Sequence, residues 1–292
     1  MKTYVYHLIA LFTVGIWGTT FVSTKVLLNH GLSPVDIIFY RFLLAYLCLW
    51  PVSYRRFWAK SLKDELLLMG GALTGGSLYF LTENTALTMS YASNVSLIVC
   101  TAPLLTAIVI RLFYKKYRLS TQFVIGSFVA LSGVAIIVFN GHFVLNLNPL
   151  GDLLSFSAAL LWAFYSLIMK LNGKYSTAFI TRKIFFYGII SLLPIYTYQP
   201  LYWGRNLLFD PVIMGNLLFL GVVASMLCYM MWNVVLKNLG TVRASNYIYF
   251  NPVMTLLASS IVLGEALTTV FITGAMLVLG GVFIADRSIM RE

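Results

Sequence analysis

Three charged side chains lie inside long apolar stretches of this sequence. Lys25 lies in the first apolar stretch, Arg41 in the second and Glu83 in the third. Ionisable residues within membrane-spanning helices are rare and commonly mark a substrate or ion pathway. At 1.5 Å per residue, all three lie within roughly 10 Å of the same end of their helices. We therefore expect Glu83 to bind an ammonium group or a coupling proton, and Lys25 or Arg41 to bind a carboxylate.

A structural role is the alternative for these charges. Lys25 and Glu83 are expected to form a charge pair, and such a pair can stabilise the fold without touching a solute. Lys25 is also close enough to a helix end to extend its ammonium group to the membrane interface. The sequence leaves both interpretations open.

Aromatic and amide side chains form a second group of candidate solute-binding residues. Trp17 and Trp162 lie near the middle of their apolar stretches, whereas tryptophan is usually enriched at the membrane interface. Aromatic walls bind flat solutes by stacking and organic cations by cation–π attraction, and packing between helices is the alternative. The full set is Trp17, Tyr79, Asn84, Trp162, Tyr165, Tyr229, Trp232, Asn233 and Tyr249.

Two prolines and three cysteines complete the chemistry-bearing residues. Pro103 and Pro252 fall near the middle of their apolar stretches, where proline bends a helix and frees a backbone carbonyl. Cys48, Cys100 and Cys228 show no metal-ligand spacing. The sequence contains no Walker A or H-E-x-x-H motif. We therefore expect no cofactor, no metal site and no enzymatic activity.

The amino-acid composition indicates that the chain lies in a membrane. The chain has 292 residues, of which 60% are hydrophobic and only 10% charged, whereas soluble domains are about 25% charged. A spanning helix needs about 20 apolar residues, and ten such stretches occur. The predicted fold is an all-α integral membrane protein with spans at 5–28, 34–53, 66–87, 92–112, 121–140, 151–171, 178–198, 211–236, 243–263 and 268–286.

The basic residues predict the orientation of the chain. Its net charge of +11 would suggest nucleic acid in a soluble protein. Here all but three of the 20 basic residues fall on one side if the N-terminus is cytoplasmic, the exceptions being Lys25, Arg41 and Arg205. Cytoplasmic loops of membrane proteins carry such an excess. We expect both termini to be cytoplasmic, in a bacterial-type inner membrane, with no nucleic acid partner.

The chain repeats itself at an offset of 145–149 residues. Trp17 corresponds to Trp162, and Asn84 corresponds to Asn233. Because each repeat holds five spans, the second must be inverted relative to the first. The predicted domains are a first five-helix repeat over 1–141 and an inverted second repeat over 148–288. Inverted repeats are typical of secondary transporters that alternate between two conformations.

The repeats resemble the EamA domains of the drug/metabolite transporter superfamily. The motifs that carry the likeness are Trp232-Asn233 with Leu239-Gly240, Ala244-Ser245, Asn251-Pro252-Val253, Gly264-Glu265 with Leu267-Thr268, and Gly280-Gly281-Val282. The resemblance covers essentially the whole chain. It implies a ten-helix secondary transporter, commonly an exporter of amino acids or other small metabolites.

Two transport functions follow as hypotheses. The first is export of amino acids or related zwitterions by alternating access, driven by a solute or proton gradient. The second is gradient-driven import of an organic cation such as a quaternary amine, which Glu83 and the aromatic residues would favour. The expected partners are a small solute, a coupling proton and the lipid bilayer. The sequence leaves the oligomeric state open.

Overall fold

The computed structural model describes residues 3–54, 56–90, 92–115, 120–139, 148–201, 209–255, 257 and 269–289. Within these residues the chain forms ten helices, α1 to α10, and no strand. Arg205 and the Gly264–Thr268 motif lie outside the described residues.

The first repeat contains five helices, two of them interrupted. Their bounds are α1 Thr3–Asn29; α2 Pro34–Leu49; α3 Leu62–Ala72, continued by a π-helical segment Leu73–Ser77 and by Leu78–Met89; α4 Ala92–Val99 and Ala102–Phe113; and α5 Thr121–Phe139.

The second repeat follows the same plan. Its bounds are α6 Pro149–Leu171; α7 Thr177–Leu192, extended by a 3₁₀ turn Leu193–Thr197; α8 Pro211–Leu218, continued by a π-helical segment Phe219–Leu227 and by Cys228–Leu239; α9 Thr241–Ser245, a 3₁₀ segment Asn246–Phe250 and a helical turn over 251–255; and α10 Thr269–Ile289.

Short polar side chains set where six of these helices begin. Each accepts a backbone N–H of the first helical turn, which otherwise has no partner inside the helix. The capping residues are Ser33, Ser61, Ser120, Asn148, Ser176 and Asp210.

The two prolines lie where α4 and α9 lose regular geometry. In α4 the helix is interrupted at Cys100 and Thr101, and Pro103 lies in the first turn of the second piece. In α9, Pro252 follows directly on the 3₁₀ segment that ends at Phe250. Proline donates no backbone hydrogen bond, which explains an irregularity at each position.

Helices of each repeat pack against helices of the other repeat. Helix α1 packs on α8 and α9, and its counterpart α6 packs on α3 and α4. Helix α2 packs on the π-helical segment of α8, and α7 packs on that of α3. Each repeat therefore completes the core of the other.

Helices α5 and α10 form the closest helix pair. A Cβ atom added to Gly126 would lie 2.6 Å from the carbonyl oxygen of Gly281, and one added to Gly133 would lie 2.6 Å from that of Gly274. Glycine at these positions allows the two backbones to touch, as small residues commonly do between membrane helices.

Five helical stretches of the described chain are individually long and apolar enough to cross a membrane: Tyr4–Asn29, Val95–Phe113, Pro149–Leu171, Thr177–Thr197 and Pro211–Leu239. Shorter apolar helices occur at Thr121–Ile137 and Ile272–Ala285. The predicted count of ten spans is consistent with this arrangement.

Candidate functional site

Six of the predicted aromatic residues meet at the centre of the molecule. Trp17 of α1 lies edge-on to Trp162 of α6, with ring centroids 5.3 Å apart and planes at 89°. Tyr79 of α3 and Tyr165 of α6 flank Trp162 at 5.2 and 5.0 Å. Edge-to-face contacts of this kind are the preferred geometry of aromatic pairs. We call this set the central aromatic cluster; its members are Trp17, Tyr79, Trp162, Tyr165, Tyr229 and Trp232.

One buried cation and one buried anion lie beside the central aromatic cluster. Arg41 is 3% exposed, and its Nε donates to the hydroxyl of Ser225 in α8. Its guanidinium carbon lies 4.1 Å from the centroid of the Phe80 ring, a cation–π geometry. Glu83 is 7% exposed and accepts a 2.7 Å hydrogen bond from the hydroxyl of Tyr79. Arg41 and Glu83 also attract each other electrostatically.

A small cavity is lined by these two charged side chains and by rings of the central aromatic cluster. Its volume is about 30 Å³, room for about two water molecules. An amino acid does not fit, so this conformation is closed around its centre. The cavity is lined by Trp17, Thr20, Phe21, Arg41, Tyr79, Phe80, Glu83, Val99, Ala102, Trp162, Tyr229, Ile248 and Asn251.

The π-helical segments of α3 and α8 supply backbone acceptors to the central aromatic cluster. The carbonyl of Gly75 accepts a 2.5 Å hydrogen bond from the Tyr229 hydroxyl, and that of Ala224 accepts a 3.0 Å bond from the Trp17 indole. Gly75 and Ala224 stand at the same offset as the matched pair Asn84 and Asn233. Single π-helical turns occur frequently at functional sites.

Two indole groups of the central aromatic cluster have no hydrogen-bond acceptor within the described residues. They are the buried Nε1 atoms of Trp162 and Trp232. The carboxamide oxygen of Asn251, at the cavity wall, likewise lacks a donor. Buried polar groups are normally paired. Trp162 and Asn251 line the cavity, whereas Trp232 does not.

Other predicted residues bond to the protein itself. The Tyr165 hydroxyl donates to the Asn233 carboxamide oxygen at 3.0 Å, and the Asn233 amide donates to the Thr181 hydroxyl at 3.0 Å. Asn84 is buried in α3 but does not line the cavity. Tyr249 packs in a separate apolar cluster with residues of α5 and α10.

Lys25 does not take the predicted position beside Glu83. Its side chain is exposed, and its Nζ donates to the carbonyl of Leu87 at 3.2 Å. The prediction used depth along the helix, which says nothing about the direction in which a side chain points. The charge that interacts with Glu83 is that of Arg41.

Ser225 and Phe80, the partners of Arg41, were missed by the sequence interpretation. The backbone carbonyls of Gly75 and Ala224 were also missed. For the carbonyl of Gly75, the pair Gly75-Gly76 in the middle of an apolar stretch is the available signal.

A second charged cluster joins the repeats at the end predicted to be cytoplasmic. Lys183 of α7, which is 1% exposed, pairs with Glu65 of α3. The Glu65 carboxylate also accepts from the Tyr187 hydroxyl at 2.5 Å and from the backbone N–H of Ala59 at 2.6 Å. Burial raises the pKa of Glu65, but bonds from Lys183, Tyr187 and Ala59 outweigh it, so the pKa lies below its usual value.

A second ion pair lies beside the first. Lys174 is 54% exposed and contacts Asp64 at 2.7 Å, and Tyr175 donates to the same carboxylate at 2.7 Å. Hydrogen bonds from Lys174, Tyr175 and Ser61 lower the pKa of Asp64 to about 2.

Arg182 completes this end of the molecule. Its guanidinium donates to the carbonyls of Ser53 and Arg56 in the connection between α2 and α3. We call the set Asp64, Glu65, Lys174, Arg182 and Lys183 the inter-repeat latch, because it ties α3 and its preceding loop to the α6–α7 region.

Comparison with known proteins identifies the class. The model of the EamA-like transporter family matches residues 5–139 and again 149–285. The chain belongs to this family, and it is a multi-pass membrane transporter of small molecules rather than an enzyme.

Relatives cover nearly the whole chain. An uncharacterized transporter of Archaeoglobus fulgidus is 28% identical over 95% of this chain and 96% of its own length. A probable amino-acid metabolite efflux pump of Salmonella typhimurium is 26% identical over 94% of this chain and 93% of its own. A crystal structure with 17% identity aligns over 99% of both chains with a TM-score of 0.77, which supports the fold alone.

Proposed function

We propose that this protein exports small zwitterionic metabolites, such as amino acids, across the inner membrane. The observation that carries the proposal is the pair of opposite buried charges, Arg41 and Glu83, beside a wall of aromatic rings. A zwitterion presents a carboxylate for Arg41 and an ammonium group for Glu83. Its apolar portion would pack against the indoles of Trp17 and Trp162.

Binding would replace contacts within the protein rather than add to them. A solute carboxylate offers Arg41 two oxygens and an opposite charge, in the bidentate geometry that a guanidinium group prefers, in place of the single neutral hydroxyl of Ser225. The Trp162 indole would gain an acceptor. Because the cavity holds about two water molecules, α1, α3, α6 and α8 must separate to admit the solute.

The inter-repeat latch supports an alternating-access mechanism. It joins the first and second repeats by ion pairs at one end of the molecule, whereas neutral hydrogen bonds such as that of Ser23 with Asn216 join them at the other end. Opening the end that holds the latch requires Lys183 and Glu65 to separate and become hydrated. In the proposed topology, with repeats over 1–141 and 148–288 and both termini in the cytoplasm, the latch closes the cytoplasmic entrance.

Similarity to relatives favours export of amino-acid metabolites. The Salmonella typhimurium and Escherichia coli relatives are both named as probable amino-acid metabolite efflux pumps. Glu83 is also the candidate for carrying a coupling proton, since it is an acid in contact with the cavity.

Import of an organic cation is the second candidate. Glu83 and the surrounding rings suit a quaternary amine, but the adjacent Arg41 would repel one. A cation carrier does not need that arginine, whereas a zwitterion carrier does.

Uptake of labelled solutes into proteoliposomes tests both functions. We expect flux of amino acids but not of their amides or of quaternary amines, and loss of amino-acid flux in Arg41→Gln. Quaternary amine transport that survives in Arg41→Gln would refute the zwitterion proposal and support the alternative. Purified Arg41→Gln protein must elute as wild type on size exclusion for the comparison to count.

A further inference from the structure

A basic pocket opens beside the inter-repeat latch, away from the central cavity. Its volume is about 560 Å³. One wall is the loop between α2 and α3, and the other is the start of α7, so each repeat contributes one side. The pocket is lined by Val52, Ser53, Tyr54, Arg56, Lys60, Lys174, Tyr175, Ser176 and Phe179.

The charge of this pocket suits an anion. Arg56, Lys60 and Lys174 line it, and among the described residues only Lys174 of these three pairs with a carboxylate, that of Asp64. The N-terminus of the 16-residue helix α7 opens on the same space, with its capping residue Ser176 at the wall. Helix N-termini carry partial positive charge and bind phosphate and other anions.

The surroundings of the pocket suit an amphipathic ligand. Val52 and Tyr54 at its rim are 61% and 60% exposed, and Trp58 of the same loop is 61% exposed. Tryptophan and tyrosine are enriched where a membrane protein meets lipid headgroups. A free phosphate ion would use only the basic part of the pocket, whereas a phospholipid would use both parts.

We propose that this pocket binds the phosphate group of an anionic phospholipid such as phosphatidylglycerol. The phosphate would contact Arg56 and Lys60 from the first repeat and the N-terminus of α7 from the second. Such a ligand would hold the two repeats together at the latch and so stabilise the closed conformation. The proposal concerns a separate site, and it stands or falls independently of what the central cavity carries.

A soluble short-chain phosphatidylglycerol is the probe. Purified protein in neutral detergent is titrated with it while thermal stability is measured, and phosphatidylcholine of the same chain length serves as the zwitterionic comparison. We expect a saturable increase in melting temperature with phosphatidylglycerol only. Arg56→Ala/Lys60→Ala should weaken the apparent affinity about thirtyfold, since each basic group near a membrane surface contributes about a fivefold factor.

Lys63→Ala is the matched control, because Lys63 is an exposed base of the same region that does not line the pocket. Because Lys63 cannot contact a phosphate in the pocket, this variant should leave the affinity close to that of wild type. The charge-conserving variant Arg56→Lys/Lys60→Arg should restore binding, which excludes a folding defect as the cause of the loss.

Three results would overturn the proposal. The first is that phosphatidylglycerol does not stabilise wild type in a saturable way. The second is that Arg56→Ala/Lys60→Ala and Lys63→Ala lose the same amount of affinity for phosphatidylglycerol. The third is that inorganic phosphate stabilises the protein at the same concentration as phosphatidylglycerol and with the same dependence on Arg56 and Lys60. The last result would assign the pocket to a free anion instead of a lipid.

Discussion

Replacing Glu65 by glutamine should open the latch side of the protein. The substitution keeps the shape of the side chain, and its one remaining oxygen can accept the bond from Ala59, while its amide group faces the Tyr187 hydroxyl, which can accept as well as donate. It removes the negative charge opposite Lys183, an ammonium group that is 1% exposed. Lys183 would then be a buried charge without a counter-ion in the closed conformation, but hydrated once the latch separates.

The size of this effect follows from burial. Removing one partner of a buried ion pair costs roughly 3–5 kcal/mol. If the open conformation is spared that cost, the ratio of open to closed protein rises by about a hundredfold or more.

The neighbouring pair supplies the control. Lys174 is 54% exposed, so water screens its charge, and its partner Asp64, which is 7% exposed, keeps its hydrogen bond from Tyr175 when Lys174 is replaced. Lys174→Gln should therefore raise the open fraction much less than Glu65→Gln does. The two ion pairs differ in burial, but both join the first repeat to the second.

Cysteine labelling measures the open fraction even when it is small. Thr181→Cys, in a background without native cysteines, places a thiol at a position that is buried beside the latch. Its rate of reaction with a soluble maleimide reports the population of the open state. Ala130→Cys, buried between α5 and α10, should stay unreactive, which distinguishes opening of the latch from general unfolding.

Equal labelling rates in Glu65→Gln and Lys174→Gln would refute the argument, as would a Glu65→Gln rate equal to that of the parent. The experiment is best run between pH 6 and 8. The pKa of Asp64 is lowered from 3.8 to about 2, so the stability contributed by its pair is present above about pH 4 and is lost as pH falls toward 2. A change in labelling between pH 6 and 8 would therefore not come from Asp64.

Three further predictions concern the core. If Glu83 carries only the proton, Glu83→Gln should abolish proton-driven accumulation but spare solute binding, whereas it should weaken binding if Glu83 holds the solute ammonium group. Solute binding and pH-driven flux, measured on one preparation, distinguish the two roles. No change in either measurement would remove Glu83 from the mechanism. Trp162→Phe should weaken solute binding. Both Trp162→Phe and Trp17→Phe remove buried aromatic surface, but Trp17→Phe should cost about 1 kcal/mol more stability, because only the Trp17 indole N–H has an acceptor within the described chain. Equal melting temperatures of the two variants would contradict this. Gly281→Ala should disrupt the α5–α10 contact, while the adjacent Gly280→Ala, which meets no atom within 4 Å, should be tolerated; thermal stability in detergent distinguishes them.

Composition and repetition were enough to predict the fold. The apolar stretches, the repeat offset and the EamA motifs identified an all-helical membrane transporter. The central aromatic residues could be predicted because tryptophan in the middle of an apolar stretch, away from the membrane interface, is unusual. Trp17 and Trp162, matched in the repeat, lie in contact at the centre.

The partners of the charged groups could not be predicted in the same way. Distance along a helix gives depth, but the direction of a side chain depends on how that helix rotates against its neighbours. Lys25 and Glu83 share a depth, yet Lys25 bonds to the Leu87 carbonyl. Ser225 has a small hydroxyl that nothing in an apolar stretch distinguishes. Gly75-Gly76 indicates an irregular helix in α3, but it does not specify a π-helical segment or the side chain that bonds to it.

The central site combines a symmetric framework with asymmetric chemistry. The carbonyls of Gly75 and Ala224 occupy matching places in the repeats, and each accepts a bond from an aromatic side chain. In contrast, Arg41 and Glu83 both belong to the first repeat, and the residue that corresponds to Glu83 is Trp232. If the two repeats exchange conformations during transport, the charged groups of a zwitterion stay with the first repeat throughout. The second repeat then supplies mainly aromatic surface, and its movement can open the cavity without first breaking the solute's ionic contacts.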